Sequence, residues 1–241
     1  MNSYIDIHAH ILPGLDDGAE NFTMALTMLR KAQREGIREI VLTPHYKPMR
    51  RNPRPETVRR ALYRLEEHKT AAGISVRLYL GNEVYYGSDI IEALREERVF
   101  TMAGSSGVLV EFSPAENYAY IREAAYSLLA EGYTPILAHV ERYRCLMDKQ
   151  VRAEELYDMG CHLQVNADSI AGENGIVCRQ NVNWLLKRKC VSFVGTDCHD
   201  VRKRMPKMAK AAAYVTKKYG DAYCKEIFRD NAAALIEGRY E

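Results

Sequence analysis

The chain has 241 residues, of which 47% are hydrophobic, and this length suits one large α/β domain covering residues 1–241. Its 34 basic and 32 acidic residues leave a formal net charge of +2, which gives no sign of nucleic-acid binding. The N-terminus lacks the basic and apolar regions of a signal peptide, and no uncharged apolar run approaches the ~18 residues of a membrane span. We therefore expect a cytoplasmic protein without membrane insertion, whose six cysteines are mostly buried thiols.

Short β-branched runs alternate with longer amphipathic segments, which is typical of repeated βα units around a parallel sheet. Seven strands are predicted, at Tyr4–His8, Glu39–Thr43, Val76–Gly81, Val108–Phe112, Thr134–His139, His162–Asn166 and Val191–Thr196. Helices are predicted at Phe22–Glu35 and Glu56–Ala72, and three more close the chain at Pro206–Tyr219, Asp221–Phe228 and Asp230–Glu237. This pattern fits either an open sheet or a closed barrel.

Five of the seven histidines lie at or just beyond a predicted strand end, and acidic residues occupy the same places. The histidines are His8, His10, His45, His139 and His199, and the acidic residues are Asp16, Asp17, Glu83, Glu111 and Asp197. Because the carboxyl ends of parallel strands surround a common axis, these side chains are expected to converge on one rim, which favours a closed barrel. A multinuclear metal centre would satisfy all of these imidazole and carboxylate groups.

The spacing of the rim residues also indicates metal binding. Alternation along the first strand puts His8 and His10 on one face, so both can reach one ion. Asp197 and His199 repeat this spacing near the end of the chain. Glu83 has two carboxylate oxygens and can bridge two ions.

Four further polar residues are interpreted as structural. His68 lies in a predicted helix and His162 at the start of a predicted strand, away from the rim. Asp6 and Asn166 are expected to support the ligands and not to bind metal themselves.

Seven sequence pieces contain the proposed ligands. They are Ile7-His8-Ala9-His10, Gly14-Leu15-Asp16-Asp17-Gly18, Thr43-Pro44-His45-Tyr46, Gly81-Asn82-Glu83, Val110-Glu111-Phe112, His139-Val140-Glu141-Arg142-Tyr143 and Asp197-Cys198-His199. In this order they resemble the PHP (polymerase and histidinol phosphatase) superfamily. More narrowly, they are similar to its bacterial manganese-dependent protein-tyrosine phosphatases of capsule and exopolysaccharide systems, and the similarity spans nearly the whole chain.

That resemblance implies a distorted (β/α)7 TIM-like barrel, the PHP fold, with a trinuclear metal site. One ion would bind His8, His10, Glu83 and Asp197; a second would bind Glu83, Glu111 and His139; a third would bind Asp17, His45 and His199. Asp17 is preferred to Asp16 as a ligand because it adjoins the loop glycine. Manganese is the expected metal, with iron, cobalt or zinc as alternatives.

The resemblance also implies a reaction. A hydroxide bridging two cations would hydrolyse phosphotyrosine, while Arg142 and Arg204 contact the phosphate. The expected substrate is a phosphotyrosine protein, such as the tail of a bacterial tyrosine kinase that regulates exopolysaccharide or capsule synthesis. Asp200 is a candidate general acid. Val140 and Ala232 stand where the family usually has proline, and we expect altered loop rigidity there without loss of metal.

Other functions remain open from the residues alone. The same metal site would suit a small-molecule phosphatase of histidinol-phosphate type or a phosphodiesterase, and a metal-stabilised regulatory binding module is the alternative outside enzymes. The segment Cys198–Arg204 also matches the C-x5-R loop of cysteine-dependent tyrosine phosphatases. We interpret that match as coincidental because the segment has no glycine, and Asp200 would put a negative charge beside the phosphate. The oligomeric state is not indicated by the sequence.

Two basic stretches follow proposed ligands in the sequence. Lys47–Arg54 comes after His45, and Arg202–Lys207 comes after His199. They could steer an acidic phosphopeptide towards the site, or they could be solvated loops without such a role.

Overall fold

The computed structural model describes residues 3–238, which form parallel strands joined by helices. The strands are Tyr4–Ala9 (β1), Ile37–Leu42 (β2), His45–Tyr46 (β3), Arg77–Leu80 (β4), Glu83–Tyr85 (β5), Gly107–Glu111 (β6), Thr134–Leu137 (β7), His162–Asn166 (β8) and Phe193–Gly195 (β9). The helices are Phe22–Arg34 (α1), Pro55–Ala71 (α2), Ile90–Arg95 (α3), Tyr118–Ala130 (α4), Arg144–Met147 (α5), Val151–Asp158 (α6), Ala167–Ala171 (α7), Gly175–Arg188 (α8), Ala209–Tyr219 (α9), Asp221–Lys225 (α10) and Asn231–Ile236 (α11). None of the helices within residues 3–238 has the length and apolar character needed to cross a bilayer.

Local signals explain where the first connecting helices begin and end. The side chain of Asn21 caps α1 by accepting a hydrogen bond from the Met24 N–H at 3.0 Å. Gly36, which follows this helix, adopts a φ of 91°, a left-handed conformation that glycine tolerates without strain. Pro55 occupies the first turn of α2, where a missing N–H costs no helical hydrogen bond.

Two of the predicted strands are longer than expected and are interrupted near the site. The second strand breaks at Thr43 and Pro44 and resumes as β3, and the third breaks at Gly81 and Asn82 and resumes as β5. The Asn82 Nδ2 group donates to the carbonyl oxygen of Pro44 at 2.7 Å and so joins the two breaks. His45 and Glu83 therefore begin short strands of their own, whereas the sequence placed them just beyond the predicted strands.

The strands form a distorted barrel, which confirms the predicted fold class. One sheet has the order β1-β2-β4 and the other has the order β3-β5-β6-β7-β8-β9, and every strand pair is parallel. The segment after β9 closes the barrel against β1, because the Asp197 N–H donates to the carbonyl oxygen of His8 at 2.7 Å. The N–H of His10 likewise donates to the carbonyl oxygen of Cys198 at 2.9 Å.

Inward-facing apolar residues of several strands fill the barrel below the metal-binding rim, including Ile7, Leu109 and Phe193, all fully buried. Ala232 and Leu235 of α11 pack into the same cluster. Ala232 thus lies in a helix against the barrel interior, so the expectation of a changed loop at this position is wrong. The three helices predicted at the end of the chain are present as α9, α10 and α11, and a turn of π-helix at Glu226–Asp230 joins the last two.

Candidate metal centre

Glu83 lies at the centre of the polar cluster, and its carboxylate is almost fully buried. Its Oε1 atom is 3.2 Å from His8 Nε2 and 3.1 Å from His139 Nε2. Its Oε2 atom is 3.2 Å from His10 Nε2 and 3.1 Å from His45 Nδ1. One carboxylate therefore touches four imidazole rings, the arrangement expected of a bridging ligand.

The potential ligand atoms form three overlapping groups, within each of which they lie within 4.8 Å of one another. The groups are His8, His10, Glu83 and Asp197; His10, Asp17, His45 and His199; and His45, Glu83 and Glu111. The first is the same set that the family resemblance implied for one ion. His10 belongs to the first and second of these groups, and His45 belongs to the second and third. Each of these two rings is therefore positioned to bind either of two ions.

His139 lies beside the third group. Its Nε2 atom is 3.4 Å from Glu111 Oε1, in addition to its contact with Glu83. The structure thus brings all nine proposed ligands together at one rim.

The two neighbouring aspartates of the first loop have different surroundings. Asp16 is turned inward, where its Oδ2 atom accepts from His10 Nδ1 at 2.8 Å and from the N–H of His45 at 3.1 Å. Asp17 is more exposed, and its Oδ1 atom is 3.3 Å from His45 Nε2 and 3.6 Å from His199 Nε2. This geometry favours Asp17 as the ligand and gives Asp16 the role of orienting His10.

The raised pKa values of two buried histidines indicate that the carboxylates of the cluster need compensating positive charge. Burial lowers the pKa of His10, but hydrogen bonds to Asp16 and Glu83 outweigh this and raise the pKa to about 10. His139 reaches a pKa of about 10 in the same way, through Glu111 and Glu83. Without metal, protons on these rings compensate the buried carboxylates, and divalent cations would take over that task.

Two other rings are suited to bind metal as neutral ligands. Burial, followed by the charge of His10, lowers the pKa of His199 to about 4. Burial is also the largest cause of the lowered pKa of His45. The His45 Nδ1 atom is buried and faces Glu83, yet it makes no hydrogen bond within residues 3–238. This combination of imidazole and carboxylate donors fits Mn²⁺, Zn²⁺ or Fe²⁺.

Gln164 supports the ligands and was not identified from the sequence. Its Oε1 atom accepts from His8 Nδ1 at 3.1 Å and from the N–H of His139 at 2.8 Å. Its Nε2 group donates to Asn166 Oδ1 at 2.9 Å, and Asn166 Nδ2 donates to Asp197 Oδ2 at 2.9 Å. The alternation along β8 that places Gln164 and Asn166 on one face was the only available signal.

Asp6 is the other supporting carboxylate, as the sequence indicated. It accepts hydrogen bonds from the backbone N–H of Thr196 at 2.9 Å and from the backbone N–H of His8 at 3.1 Å. Burial raises its pKa to about 6. These contacts join the first strand to the segment that precedes Asp197.

Two proposed ligands hold unusual backbone conformations. His139 has a φ of 33° and Asp197 has a φ of 51°, and both come directly after or close to the end of a strand. Left-handed conformations are unfavourable for residues with a side chain. The backbone at both positions therefore carries strain, while both side chains lie in the cluster.

Both arginines of interest contact the same ligand. Arg142 Nη2 is 3.1 Å from Asp197 Oδ2, and Arg204 Nη2 is 2.6 Å from Asp197 Oδ1. Asp197 therefore holds two guanidinium groups at the edge of the cluster, and each guanidinium has more N–H donors than this one contact uses.

The hydrogen bonds of Asp200 and the burial of Cys198 bear on the catalytic roles considered from the sequence. The Asp200 Oδ1 atom accepts from the N–H groups of Arg202 at 2.5 Å and Lys203 at 2.7 Å. Burial raises the pKa of Asp200, but these bonds outweigh it and lower the pKa, which does not favour a role as general acid. Cys198 is fully buried, and burial raises the pKa of its thiol well above the usual range, which removes the thiolate a C-x5-R nucleophile requires.

The remaining histidines and cysteines lie outside the cluster. His68 packs against Phe22, with ring centroids 4.6 Å apart, and His162 packs against Phe193 at 5.8 Å. All six cysteines are free thiols. Four of them are buried, as predicted: Cys161, Cys190, Cys198 and Cys224.

Comparison with known proteins shows which family shares this arrangement. A sequence profile for capsular polysaccharide synthesis proteins of the CpsB/CapC type matches residues 4–237. The chain belongs to the CpsB/CapC family. The tyrosine-protein phosphatase CpsB of Streptococcus pneumoniae is 34% identical over 238 residues, covering 96% of this chain and 98% of that protein.

Solved structures agree with the family assignment. A structure described as YwqE from Bacillus subtilis and CpsB from Streptococcus pneumoniae, unique metal-dependent tyrosine phosphatases, superimposes with a TM-score of 0.92 at 28% identity, covering 98% of this chain and 95% of the other. The phosphotriesterase homology protein of Escherichia coli gives a TM-score of 0.63 at 12% identity, covering 97% and 98%, and shares the fold alone. The barrel fold of this chain thus also occurs in a protein of low sequence identity.

Proposed function

We propose that this CpsB/CapC protein is a metal-dependent protein-tyrosine phosphatase that holds three divalent cations. The observation that carries the proposal is the set of three overlapping ligand groups around Glu83, with two arginines beside it. The ligands are His8, His10, Asp17, His45, Glu83, Glu111, His139, Asp197 and His199. Manganese is the proposed metal, and the protein is proposed to work in the cytoplasm.

The side chains around the ligands suggest how a phosphate ester would be held. Divalent cations bound here would supply a nucleophile from water near neutral pH and offset charge on the phosphate oxygens. Arg142 and Arg204 would contact two of those oxygens, since a guanidinium group matches the geometry of phosphate. Asp197 would keep both guanidinium groups at that edge. Asp200 is assigned no step here, since its Oδ1 atom already accepts hydrogen bonds from the backbone of its own turn.

The named relatives support phosphotyrosine as the substrate. Curated members of the family are called tyrosine-protein phosphatases, in Streptococcus pneumoniae and in Bacillus subtilis. The phenolate of tyrosine, with a parent pKa near ~10, leaves more readily than an alkoxide and so needs less help from a general acid. A phosphotyrosine protein, such as the tail of a bacterial tyrosine kinase in capsule or exopolysaccharide synthesis, is the proposed partner.

Metal depletion and restoration test the proposal directly. We expect EDTA to abolish hydrolysis of a phosphotyrosine peptide and Mn²⁺ to restore it, while Cys198→Ser retains the activity of the unchanged protein. Histidinol phosphate, assayed in parallel, should be the poorer substrate. Activity that survives EDTA and disappears in Cys198→Ser would refute the metal-dependent reaction. Elemental analysis of the purified protein identifies the bound metal.

A further inference from the structure

A groove of about 390 Å³ opens directly beside the metal centre. Asp17 and His45, both proposed ligands, form the wall nearest the metals. The segment of residues 47–53, here called the basic loop, contributes most of the remaining lining residues. A peptide whose phosphotyrosine enters the metal centre can place its neighbouring residues in this groove, since successive residues of an extended chain are only ~3.5 Å apart.

The basic loop carries positive charge that the protein itself does not neutralise. Lys47, Arg50 and Arg51 line the groove and are exposed. Within residues 3–238 none of the three has a carboxylate within 4.0 Å, although two carboxylates line the same groove. The two acidic residues of the groove, Asp16 and Asp17, face His10 and His45 instead.

The shape of the basic loop is fixed by two sets of contacts. The Asn52 side chain accepts from the Lys47 N–H at 2.9 Å and donates to the carbonyl oxygens of Lys47 at 2.8 Å and Arg50 at 3.2 Å. Pro48 packs so closely on Gly87 that a Cβ atom there would lie 2.6 Å from the proline ring. The charges are thus displayed on a preformed turn, which lowers the entropic cost of binding a ligand.

We propose that the basic loop binds acidic residues flanking the phosphotyrosine of the protein substrate. This inference rests on the proposed phosphatase function and adds a selectivity to it: the enzyme prefers phosphotyrosine sites in acidic sequence. The phosphate is held by the metal centre, and the flanking carboxylates are held by Lys47, Arg50 and Arg51 across the groove. The basic loop borders the metal centre next to Asp17 and His45, so its contribution depends on position along the peptide.

Paired peptides test this selectivity with the Mn²⁺-loaded protein. One phosphotyrosine peptide carries glutamates at the flanking positions, and its partner carries alanines. We expect kcat/KM to favour the acidic peptide by about ten-fold at low ionic strength, because two or three exposed charge pairs each contribute modestly. The preference should shrink as sodium chloride is raised to about 0.5 M, since salt screens exposed charges.

Charge reversal assigns the effect to the loop. Arg50→Glu combined with Arg51→Glu should remove or invert the preference for the acidic peptide. Lys187→Glu combined with Lys217→Glu makes the same change in net charge in the last turns of α8 and α9, and should retain the preference. Matched Mn²⁺ affinity and circular dichroism spectra establish that both double variants are folded with an intact metal centre.

The outcomes separate this inference from the function on which it rests. Equal hydrolysis of both peptides by the unchanged protein, or a preference that survives Arg50→Glu/Arg51→Glu, overturns the basic-loop inference and leaves the phosphatase function standing. Hydrolysis of neither peptide by Mn²⁺-loaded protein overturns both. A preference that is lost in the loop variant, kept in the control variant and weakened by salt supports the inference.

Discussion

Replacement of Gln164 by leucine tests how the metal centre is held in shape. The Oε1 atom of Gln164 accepts hydrogen bonds from His8 Nδ1 at 3.1 Å and from the N–H of His139 at 2.8 Å. Leucine has a similar volume but no acceptor. The Gln164→Leu variant therefore leaves two buried donors without a partner, on two residues that we propose as ligands.

The size of the effect follows from those two donors. An unsatisfied buried donor costs about 1–3 kcal/mol, so we expect the free energy of unfolding to fall by roughly 3 kcal/mol. In a chain of this size that corresponds to a melting temperature lower by about 6–12 °C. The His8 ring also loses the partner that turns its Nε2 atom towards Glu83, and such losses typically weaken metal binding by about 10–100-fold.

Two measurements examine these expectations separately. Thermal denaturation in EDTA reports the stability of the metal-free protein, and calorimetric titration with Mn²⁺ reports the affinity. Gln180→Leu, at an exposed position of α8, is the matched control and should change neither. If Gln164→Leu binds Mn²⁺ as tightly as the unchanged protein, the reasoning that Gln164 orients His8 is refuted.

Two further predictions concern pH and the first loop. Burial lowers the pKa of His162 from 6.5 to about 4, so the folded protein keeps this ring neutral while the unfolded chain takes up a proton. The free energy of unfolding therefore decreases as pH falls from 6.5 through 4. Urea denaturation in EDTA should show that this decrease is smaller by about 2–3 kcal/mol in His162→Leu than in the unchanged protein. Equal acid sensitivity of the two proteins would contradict this prediction. In Gly18→Ala the new Cβ would lie 2.2 Å from the carbonyl oxygen of His10, so the loop that carries Asp17 must move. Calorimetry should show Mn²⁺ affinity weaker by at least about ten-fold, and an unchanged affinity would mean that this loop does not bind metal.

The positions of the ligands were predictable because two regularities act together. Side chains alternate along a strand, which put His8 and His10 on one face, and parallel strands end at the same edge, which brought Glu111 and Asp197 to that face. The family resemblance then grouped the ligands, and the first of its groups is the one found around Glu83. The barrel followed from the repeated βα pattern together with this convergence.

Other features depend on contacts between distant residues, which no local pattern encodes. The breaks at Pro44 and Asn82 are joined by a side-chain hydrogen bond between residues 38 positions apart. Gln164 looks like any polar residue of a strand until its partners, His8 and His139, are placed beside it. The sequence offered Asp200 as a candidate general acid, and it gave no sign that the Oδ1 atom of Asp200 accepts hydrogen bonds from the backbone of its own turn.

The left-handed backbone at His139 and Asp197 limits how this protein can gain heat resistance. Glycine at either position would relieve about 1 kcal/mol of conformational strain, so a selection for folding stability alone would favour it. The same replacement deletes a side chain that touches Glu83 or both arginines. Selection for a stable fold and selection for an active one therefore oppose each other at these two positions, and thermostable descendants must acquire their stabilising substitutions elsewhere in the barrel.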